Sequence, residues 1–146
     1  MKENILIRPA ENKDLDQVFK FINKLENEKF DYNTFKVIYE NNIENSEYAY
    51  FVATCNEAVI GFAGFHTQNL LHHCGRVGEI QELYVDNDYR NKGIGKMLIT
   101  QIERIANIKD LKSIEVTSNK ARTENIEVYE NLGFKLTHNK FTKQLI

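Results

Sequence analysis

The residue pattern with the clearest chemical meaning lies where a polar turn leads into a helix. After Leu83-Tyr84-Val85, four polar or aromatic residues precede Arg90-Asn91-Lys92-Gly93-Ile94-Gly95-Lys96. Backbone N–H groups in the first turn of a helix have no intrahelical acceptor, and together with the helix dipole they attract phosphate. Glycines would let phosphate oxygens approach the backbone closely, and Arg90, Lys92 and Lys96 add positive charge. This turn, residues 90–96, therefore predicts a pyrophosphate site.

The spacing of this turn separates it from other nucleotide motifs. It lacks the Gly-Lys-Ser/Thr ending of a P-loop, and no third glycine completes a dinucleotide fingerprint. The alternative is a solvated loop with a glycine-tolerant helix start. Because the spacing Arg90-x-x-Gly93-x-Gly95 follows a strand directly, it favours the phosphate site.

Composition restricts the class of protein. The 146 residues suit a single domain, which we predict to span residues 1–146. A net charge of −2 provides no basic field for nucleic acid, and the longest apolar stretches, such as residues 58–65, are too short to cross a membrane. Residues 1–9 show no secretory signal pattern, and Cys55 and Cys74 have no C-x-x-C spacing. We therefore predict a cytoplasmic protein with reduced thiols and no nucleic-acid or membrane partner.

The apolar periodicity predicts an alternation of helices and strands. Helices are expected at residues 14–25, 33–42, from Ile94 onward and at 124–131. Strands are expected at residues 5–8, 48–54, 58–65, 77–85, 113–117, 135–138 and 141–145. Such an order is typical of an α/β (α+β) domain, in which helices pack on the faces of one sheet.

Two segments resemble the motifs of the GNAT superfamily of acetyltransferases. They are Val85-x4-Arg90-x-x-Gly93-x-Gly95-x-x-Leu98 and Asn125-Ile126-x-x-Tyr129-x-x-Leu132-Gly133-Phe134. The resemblance implies an acetyl-CoA-dependent N-acetyltransferase with a mixed, mostly antiparallel sheet of six to seven strands flanked by about four helices. Acetyl-CoA would be the cosubstrate and a small-molecule amine the acceptor. A homodimer is compatible with the resemblance, since dimers are common in the superfamily.

A closer likeness is to the aminoalkylphosphonate N-acetyltransferases, a branch of the same superfamily. It is carried by Glu28-x-Phe30-Asp31, Leu71-His72-His73, the segment Gly78-Glu79-Ile80-Gln81-Glu82-Leu83 and Phe141-Thr142-Lys143. This likeness implies an acceptor that is an aminoalkylphosphonate or a related amino acid. Two alternatives stay open: acetylation of amino acids or peptides, and a non-catalytic module that binds acyl-CoA.

The resemblance also suggests how proton transfers are divided. An amine with a pKa near 10.4 is almost entirely protonated at pH 7, so a positioned base is needed. Glu79 is the candidate base and Tyr129 the candidate acid that protonates the departing sulfur. Glu82 lies three positions after Glu79 and should point to the opposite face of a regular strand, and either could be the outward residue. Tyr129 could alternatively be a core aromatic residue.

Further residues are assigned to binding. Backbone N–H groups near Leu83, Tyr84 and Val85 would polarise the acetyl carbonyl if the strand splays or bulges there. Asn119 and Asn125 are candidate contacts to the pantetheine arm, or else turn and cap residues. Contacts to the acceptor are expected from the first helices and from one loop, through Phe30, Asp31, Phe35, Tyr39, His72 and His73. The two histidines could bind an anion or a divalent metal, but two ligands alone do not make a metal site.

Overall fold

The computed structural model describes residues 4–146, which form one mixed sheet with helices on both faces. The strands are β1 (Ile5–Pro9), β2 (Tyr48–Cys55), β3 (Ala58–Leu70), β4 (Gly75–Val85) and β5 (Ile114–Val116). The helices are α1 (Leu15–Glu26), α2 (Tyr32–Ile43), α3 (Ile94–Ile108) and α4 (Glu124–Asn131). Strands β1 to β4 pair antiparallel in sequence order, and β5 pairs parallel with β4. The predicted fold class and the four helices are confirmed.

Side chains that alternate along the strands divide the interior into two cores. On one face, α3 packs its buried Ile94, Leu98 and Ile102 against a cluster that includes Phe65 and Ile80. On the other face, α1 and α2 cover a cluster whose buried members include Val18, Phe21, Tyr39, Val52, Phe62 and Tyr84. Consecutive strand residues enter different clusters, as the pleat requires. We call these the α3 face and the α1/α2 face.

The strand count is the part of the fold prediction that was wrong. The sheet has five strands among the described residues, not six or seven, because residues 135–138 and 141–145 form no ladder. Their apolar side chains are largely exposed; Phe141 is 91% and Leu145 86% accessible. A short alternating segment becomes a strand only where a neighbouring strand can pair with it and a face can cover it. In this structure residues 135–146 have neither.

A β-bulge in β4 changes which side chains share a face. Gly64 of β3 lies opposite Glu82, and the next residue of β3, Phe65, lies opposite Ile80, so Gln81 is the extra residue. Consequently Ile80 and Leu83 both pack on the α3 face although they are three positions apart. The carboxylates of Glu79 and Glu82 therefore both belong to the α1/α2 face. The expectation of opposite faces was wrong because it assumed a regular strand.

The parallel pairing of β4 with β5 covers only part of β4. It runs from Gly78 opposite Ile114 to Ile80 opposite Val116, and then ends. Among the described residues, β4 therefore has no strand neighbour on this side along residues 81–85. The Val85 carbonyl on this side accepts a hydrogen bond from Arg90. The remaining length of this edge is not paired with a strand and could bind an extended ligand, as it would bind another strand.

Candidate active site

The turn of residues 90–96 presents the first turn of α3 without obstruction. Gly93, the residue before the helix, has φ of 78°, and no side chain caps the helix there. The first intrahelical bond runs from the Met97 N–H to the Gly93 carbonyl, at 3.0 Å. A Cβ atom built on Gly93 or Gly95 would meet nothing within 4 Å. The N–H groups of Ile94, Gly95 and Lys96 thus precede the first intrahelical donor, and this arrangement fits a diphosphate.

The predicted cations of the turn differ in their positions. Arg90 turns back towards β4, where its Nε donates to the Val85 carbonyl at 3.0 Å and its guanidinium lies 5.3 Å from the centre of the Tyr84 ring. Lys92 Nζ lies 5.3 Å from the centre of the Tyr89 ring. Lys96 lines a shallow depression beside Gly93. Asn91 has φ of 62°, so two residues of the turn adopt the left-handed conformation.

We expect Gly93→Ala to raise the KM for acetyl-CoA on the order of tenfold, equivalent to about 1.4 kcal/mol. The added methyl group occupies the side from which a diphosphate would approach the amides. Gly133→Ala is the matched control, because Gly133 also has positive φ, at 94°, and equally open surroundings. Steady-state kinetics of both variants make the comparison. Equal effects would attribute the change to backbone strain and contradict a role for Gly93 in binding.

A cavity of about 90 Å³ lies between α1, α2 and the sheet, and its charged lining residue is Glu82. We call it the Glu82 cavity; it is lined by Val18, Ile22, Phe35, Ile38, Tyr39, Tyr50, Phe62 and Glu82. Burial, and secondarily the negative charges of Glu26 and Glu79, raise the pKa of Glu82 to about 7. A carboxyl group with this pKa is poised to accept a proton near neutral pH.

Aromatic side chains around Glu82 are fixed by hydrogen bonds and ring contacts. The Tyr39 hydroxyl donates to the Glu11 carbonyl at 2.7 Å, and the Asn42 side chain donates to the Tyr50 hydroxyl at 2.7 Å. The rings of Tyr39 and Tyr50 are 5.7 Å apart. Burial raises the pKa of Tyr50 to about 12, and burial also raises that of Tyr39. Both hydroxyls therefore stay protonated, and Glu82 is the group that titrates there near neutral pH.

Glu79 lies one step further along the same face, beside residues that the sequence did not single out. Its cross-strand neighbour is His66, whose ring stacks on Tyr48 with centroids 4.2 Å apart. His66 Nδ1 is buried and has no hydrogen-bond partner among the described residues. The alternation of Tyr48 and Tyr50 with the buried Val52 could have placed both tyrosines on this face. The position of His66 follows only from the pairing of β3 with β4.

The structure brings some of the predicted acceptor residues to the cavity and leaves others outside. Phe35 and Tyr39 line it. Phe30 and Asp31 lie between α1 and α2, where the Asp31 carboxylate caps α2 by accepting from the Thr34 N–H at 2.9 Å and the Thr34 hydroxyl at 2.8 Å. Asp31 is thus already engaged as a helix cap, and neither it nor Phe30 lines the cavity.

The histidine pair lies at the far end of the β3–β4 hairpin. His72 and His73 form a short turn after β3, with ring centroids 4.5 Å apart. Glu82 is opposite Gly64, six residues before Leu70, so the turn is about 20 Å from Glu82 at roughly 3.3 Å per residue. Within residues 4–146, no three His, Cys, Asp or Glu side chains are grouped so as to hold a metal ion. The pair is therefore separate from the Glu82 cavity.

The segment before α4 is tied down by side-chain hydrogen bonds. Asn119 Oδ1 accepts from the Ala121 N–H at 2.9 Å, and Asn125 Nδ2 donates to the Ser118 hydroxyl at 3.0 Å. The Arg122 guanidinium donates to the Leu25 carbonyl at the end of α1. Asn119 therefore forms a turn, and both asparagine side chains have partners within the chain.

Tyr129 of α4 is half-buried at the margin of the α3-face core. Leu83 and Val85 pack against the same core, so Tyr129 belongs to the face of β4 on which those side chains lie. Its ring meets Phe134 edge-on, with centroids 5.8 Å apart. Burial raises the pKa of Tyr129, while the positive charge of Arg122 opposes this. The hydroxyl is thus protonated at neutral pH, as a proton donor must be.

Comparison with known proteins identifies the class of enzyme to which this fold belongs. The chain belongs to the acetyltransferase (GNAT) family, whose family model matches residues 14–134. It is accordingly an acetyl-CoA-dependent N-acetyltransferase that acts on an amine, as the sequence resemblance predicted. No helix within residues 4–146 combines the length and apolar character needed to cross a membrane.

Similar proteins act on amines of different kinds. An aminoalkylphosphonate N-acetyltransferase of Salmonella typhimurium is 32% identical over 95% of this chain and 90% of its own length. A glucosamine 6-phosphate N-acetyltransferase of Candida albicans is 28% identical over 62% of this chain and 60% of its own. An aminoglycoside N-acetyltransferase solved with CoA superposes with a TM-score of 0.88 at 19% identity, covering 99% of this chain and 97% of that protein. The structural likeness shows a shared fold.

Proposed function

We propose that this enzyme acetylates the primary amine of a small aminoalkylphosphonate or related amino acid, with Glu82 as general base and Tyr129 as general acid. The acceptor class rests on the similarity to the Salmonella typhimurium enzyme over nearly the whole chain. The observation that carries the chemistry is the half-buried Glu82 carboxylate, which lines a cavity directly beside the open edge of β4. Phe35 and Tyr39 contact the acceptor in this proposal.

Each proton has a destination in the proposed reaction. The ammonium of the acceptor first loses one proton to solvent. The neutral amine nitrogen then forms a bond to the acetyl carbon, and the second proton that it must lose passes to Glu82 directly or through water. Backbone N–H groups near Leu83, Tyr84 and Val85 stabilise the negative charge that develops on the acetyl oxygen. The bond from carbon to sulfur then breaks, and Tyr129 protonates the sulfur. Proton exchange with solvent afterwards restores the Tyr129 hydroxyl and the Glu82 carboxylate. Acetyl-CoA, seated on the turn of residues 90–96, supplies the activated acetyl group.

Glu79 remains the alternative base. It shares the α1/α2 face with Glu82 and is one of the charges that raise the pKa of Glu82. Three observations favour Glu82: it lines the cavity, it lies within the open part of β4, and its pKa lies near neutral pH. Glu79 instead lies where β4 is still paired with β5, opposite Glu115.

The charge of the site supports a second candidate acceptor, an amine without an anionic group. The Glu82 cavity contains no Lys or Arg in its lining, and Glu26 and Glu79 add negative charge near it. An ammonium group is attracted to such a site, while a phosphonate must remain outside the cavity or bring a cation with it. The two candidates thus differ in how the far end of the acceptor is held.

A thiol-release assay with acceptors of matched length tests the proposal. We expect 2-aminoethylphosphonate to exceed both its carboxylate analogue and ethanolamine by at least about tenfold in kcat/KM, which is about 1.4 kcal/mol in transition-state binding. Each acceptor is measured with and without a divalent cation, because a metal could bridge the phosphonate to the carboxylates. Preference for ethanolamine would select the second candidate, and preference for the carboxylate would select amino acids. Coenzyme binding without turnover of any amine would indicate a non-catalytic module.

A further inference from the structure

The Glu82 side chain lies directly over the backbone of Gly64. A Cβ atom built on Gly64 would be 2.1 Å from Glu82 Oε1 and 3.3 Å from Glu82 Cδ. Carbon and oxygen atoms that are not bonded to each other do not approach this closely. The carboxylate thus occupies the space that any other residue at position 64 would fill with its side chain.

Tyr50 limits the same space from the opposite side. Gly64 is paired with Glu82 on β4 and with Tyr50 on β2, so the three residues form one row across the sheet. The same Cβ atom on Gly64 would be 3.3 Å from Tyr50 Cε1. Gly64 therefore forms a notch between the tyrosine ring and the carboxylate.

Backbone conformation does not explain the glycine. The described glycines with positive φ are Gly93 and Gly133, and Gly64 is not among them. Position 64 lies inside a paired strand, where an interior glycine is unfavourable because it has no side chain to pack. The reason for glycine at this position is therefore the space that it leaves.

We propose that Gly64 is a positioning residue for the general base: its missing side chain lets the Glu82 carboxylate lie flat on the sheet, in the cavity wall beside the open edge of β4. This inference rests on the proposed role of Glu82. With any larger residue at position 64 the carboxylate must turn away from β3, because the backbone of a central strand has less freedom than the end of a glutamate side chain. The base would then lie further from the acceptor nitrogen and nearer to solvent.

Gly64→Ala is expected to lower kcat/KM for the acceptor about tenfold or more and to leave the KM for acetyl-CoA unchanged. From the pKa of Glu82 we expect the acidic limb of the pH profile near 7 in the parent enzyme, and in Gly64→Ala this limb should move towards the ordinary glutamate value of 4.5. Carbon-13 NMR titration of the Glu82 carboxyl group should show the same displacement without any substrate. An unmoved titration midpoint would overturn the inference.

Two comparisons separate this role from a general loss of packing. Gly61→Ala also adds a methyl group inside β3, but against Leu98 and the Tyr84 carbonyl. It should lower the melting temperature without moving the Glu82 titration; an equal displacement in both variants would contradict a specific role of Gly64. In the Glu82→Gln background, Gly64→Ala should cause little further loss of kcat/KM, and an undiminished loss would likewise contradict it.

Further variants keep the inference testable if Gly64→Ala folds poorly. In the Glu82→Ala background the collision with the carboxylate is absent, so adding Gly64→Ala should leave the melting temperature close to that of Glu82→Ala alone. Persistent destabilisation would show that another contact requires glycine. Full activity of Glu82→Gln would refute the proposed base itself. Impaired Glu82→Gln together with an unchanged profile in Gly64→Ala would refute the inference and leave the proposed function standing.

Discussion

Glu82→Gln is expected to lower kcat/KM for the amine acceptor by about 10²- to 10⁴-fold at pH 8, the usual contribution of a general base. The substitution conserves the shape of the side chain and its place in the cavity, but an amide nitrogen and carbonyl cannot accept the amine proton. At pH 8 the parent carboxyl group, with a pKa of about 7, is mostly ionised and ready to accept a proton. Thiol-release kinetics with saturating acetyl-CoA measure the loss.

The pH dependence of this loss identifies its cause. The parent carboxylate is lost as the pH falls through about 7, so the ratio of kcat/KM in the parent to that in the variant should grow from pH 5.5 to pH 8 and then level off. Ionisation of the acceptor affects both enzymes equally and cancels in this ratio. A ratio that does not change with pH would contradict proton transfer to Glu82.

Glu79→Gln is the matched control, since it removes the other carboxylate of the same face. We expect a loss below about tenfold, because Glu79 acts on Glu82 through its charge and does not line the cavity. If kcat/KM instead fell further in Glu79→Gln than in Glu82→Gln, and the ratio of parent to Glu79→Gln grew with pH, Glu79 would be the base.

Stability measurements test whether the loss of kcat/KM in Glu82→Gln is caused by unfolding. Because the pKa of Glu82 is raised in the folded chain, its contribution to stability is present below the unfolded value near 4.5 and is lost as the pH rises through about 7. The glutamine variant carries no buried charge to be penalised. It should therefore be at least as stable as the parent at pH 8, as judged by the melting temperature.

The features that were predicted correctly from the sequence depend on residues that are close together in the chain. The helix start at Gly93 depends on glycines, a preceding strand and unpaired amides, all of which lie within a few residues of one another. The predicted helices and the first five strands were likewise encoded by short-range periodicity. Family resemblance then connected the turn of residues 90–96 to acetyl-CoA. The matching family model confirmed acetyl-CoA as the cosubstrate, and its seat on this turn stays a prediction.

The features that could not be predicted from the sequence depend on pairing between strands that are distant in the chain. The extra residue Gln81 places Glu82 on the same face as Glu79, but a bulge is visible only in the register against β3. The notch at Gly64 and the neighbouring His66 also depend on this register. The prediction of two C-terminal strands, at residues 135–138 and 141–145, was wrong for the same reason. Their alternation of apolar residues is local, but a strand requires a pairing partner that the described part of the chain does not provide.

Tyr129→Phe is expected to lower kcat by about 10²-fold or more, with little change in the dissociation constant for CoA. A departing thiolate, with a thiol pKa near 8.5, leaves more readily when a proton is delivered to it. Burial raises the pKa of Tyr129, so its hydroxyl holds that proton at the pH of the assay. Phenylalanine retains the ring contact with Phe134 and removes the hydroxyl alone. Steady-state kinetics and calorimetry with CoA provide the two measurements.

Phe134→Leu is the counterpart of this variant, because it weakens the edge-on ring contact and leaves the hydroxyl in place. It should lower the melting temperature and retain most of kcat. Tyr129→Phe should instead lower kcat and leave the melting temperature nearly unchanged. If Tyr129 is instead a packing residue, the two substitutions will have similar effects, and kcat in Tyr129→Phe will stay within a few-fold of the parent. In that case the proton for the sulfur must come from water or from the acceptor ammonium. The two variants thus separate the contribution to the rate that we expect from the hydroxyl of Tyr129 from the contribution to the fold that we expect from its ring.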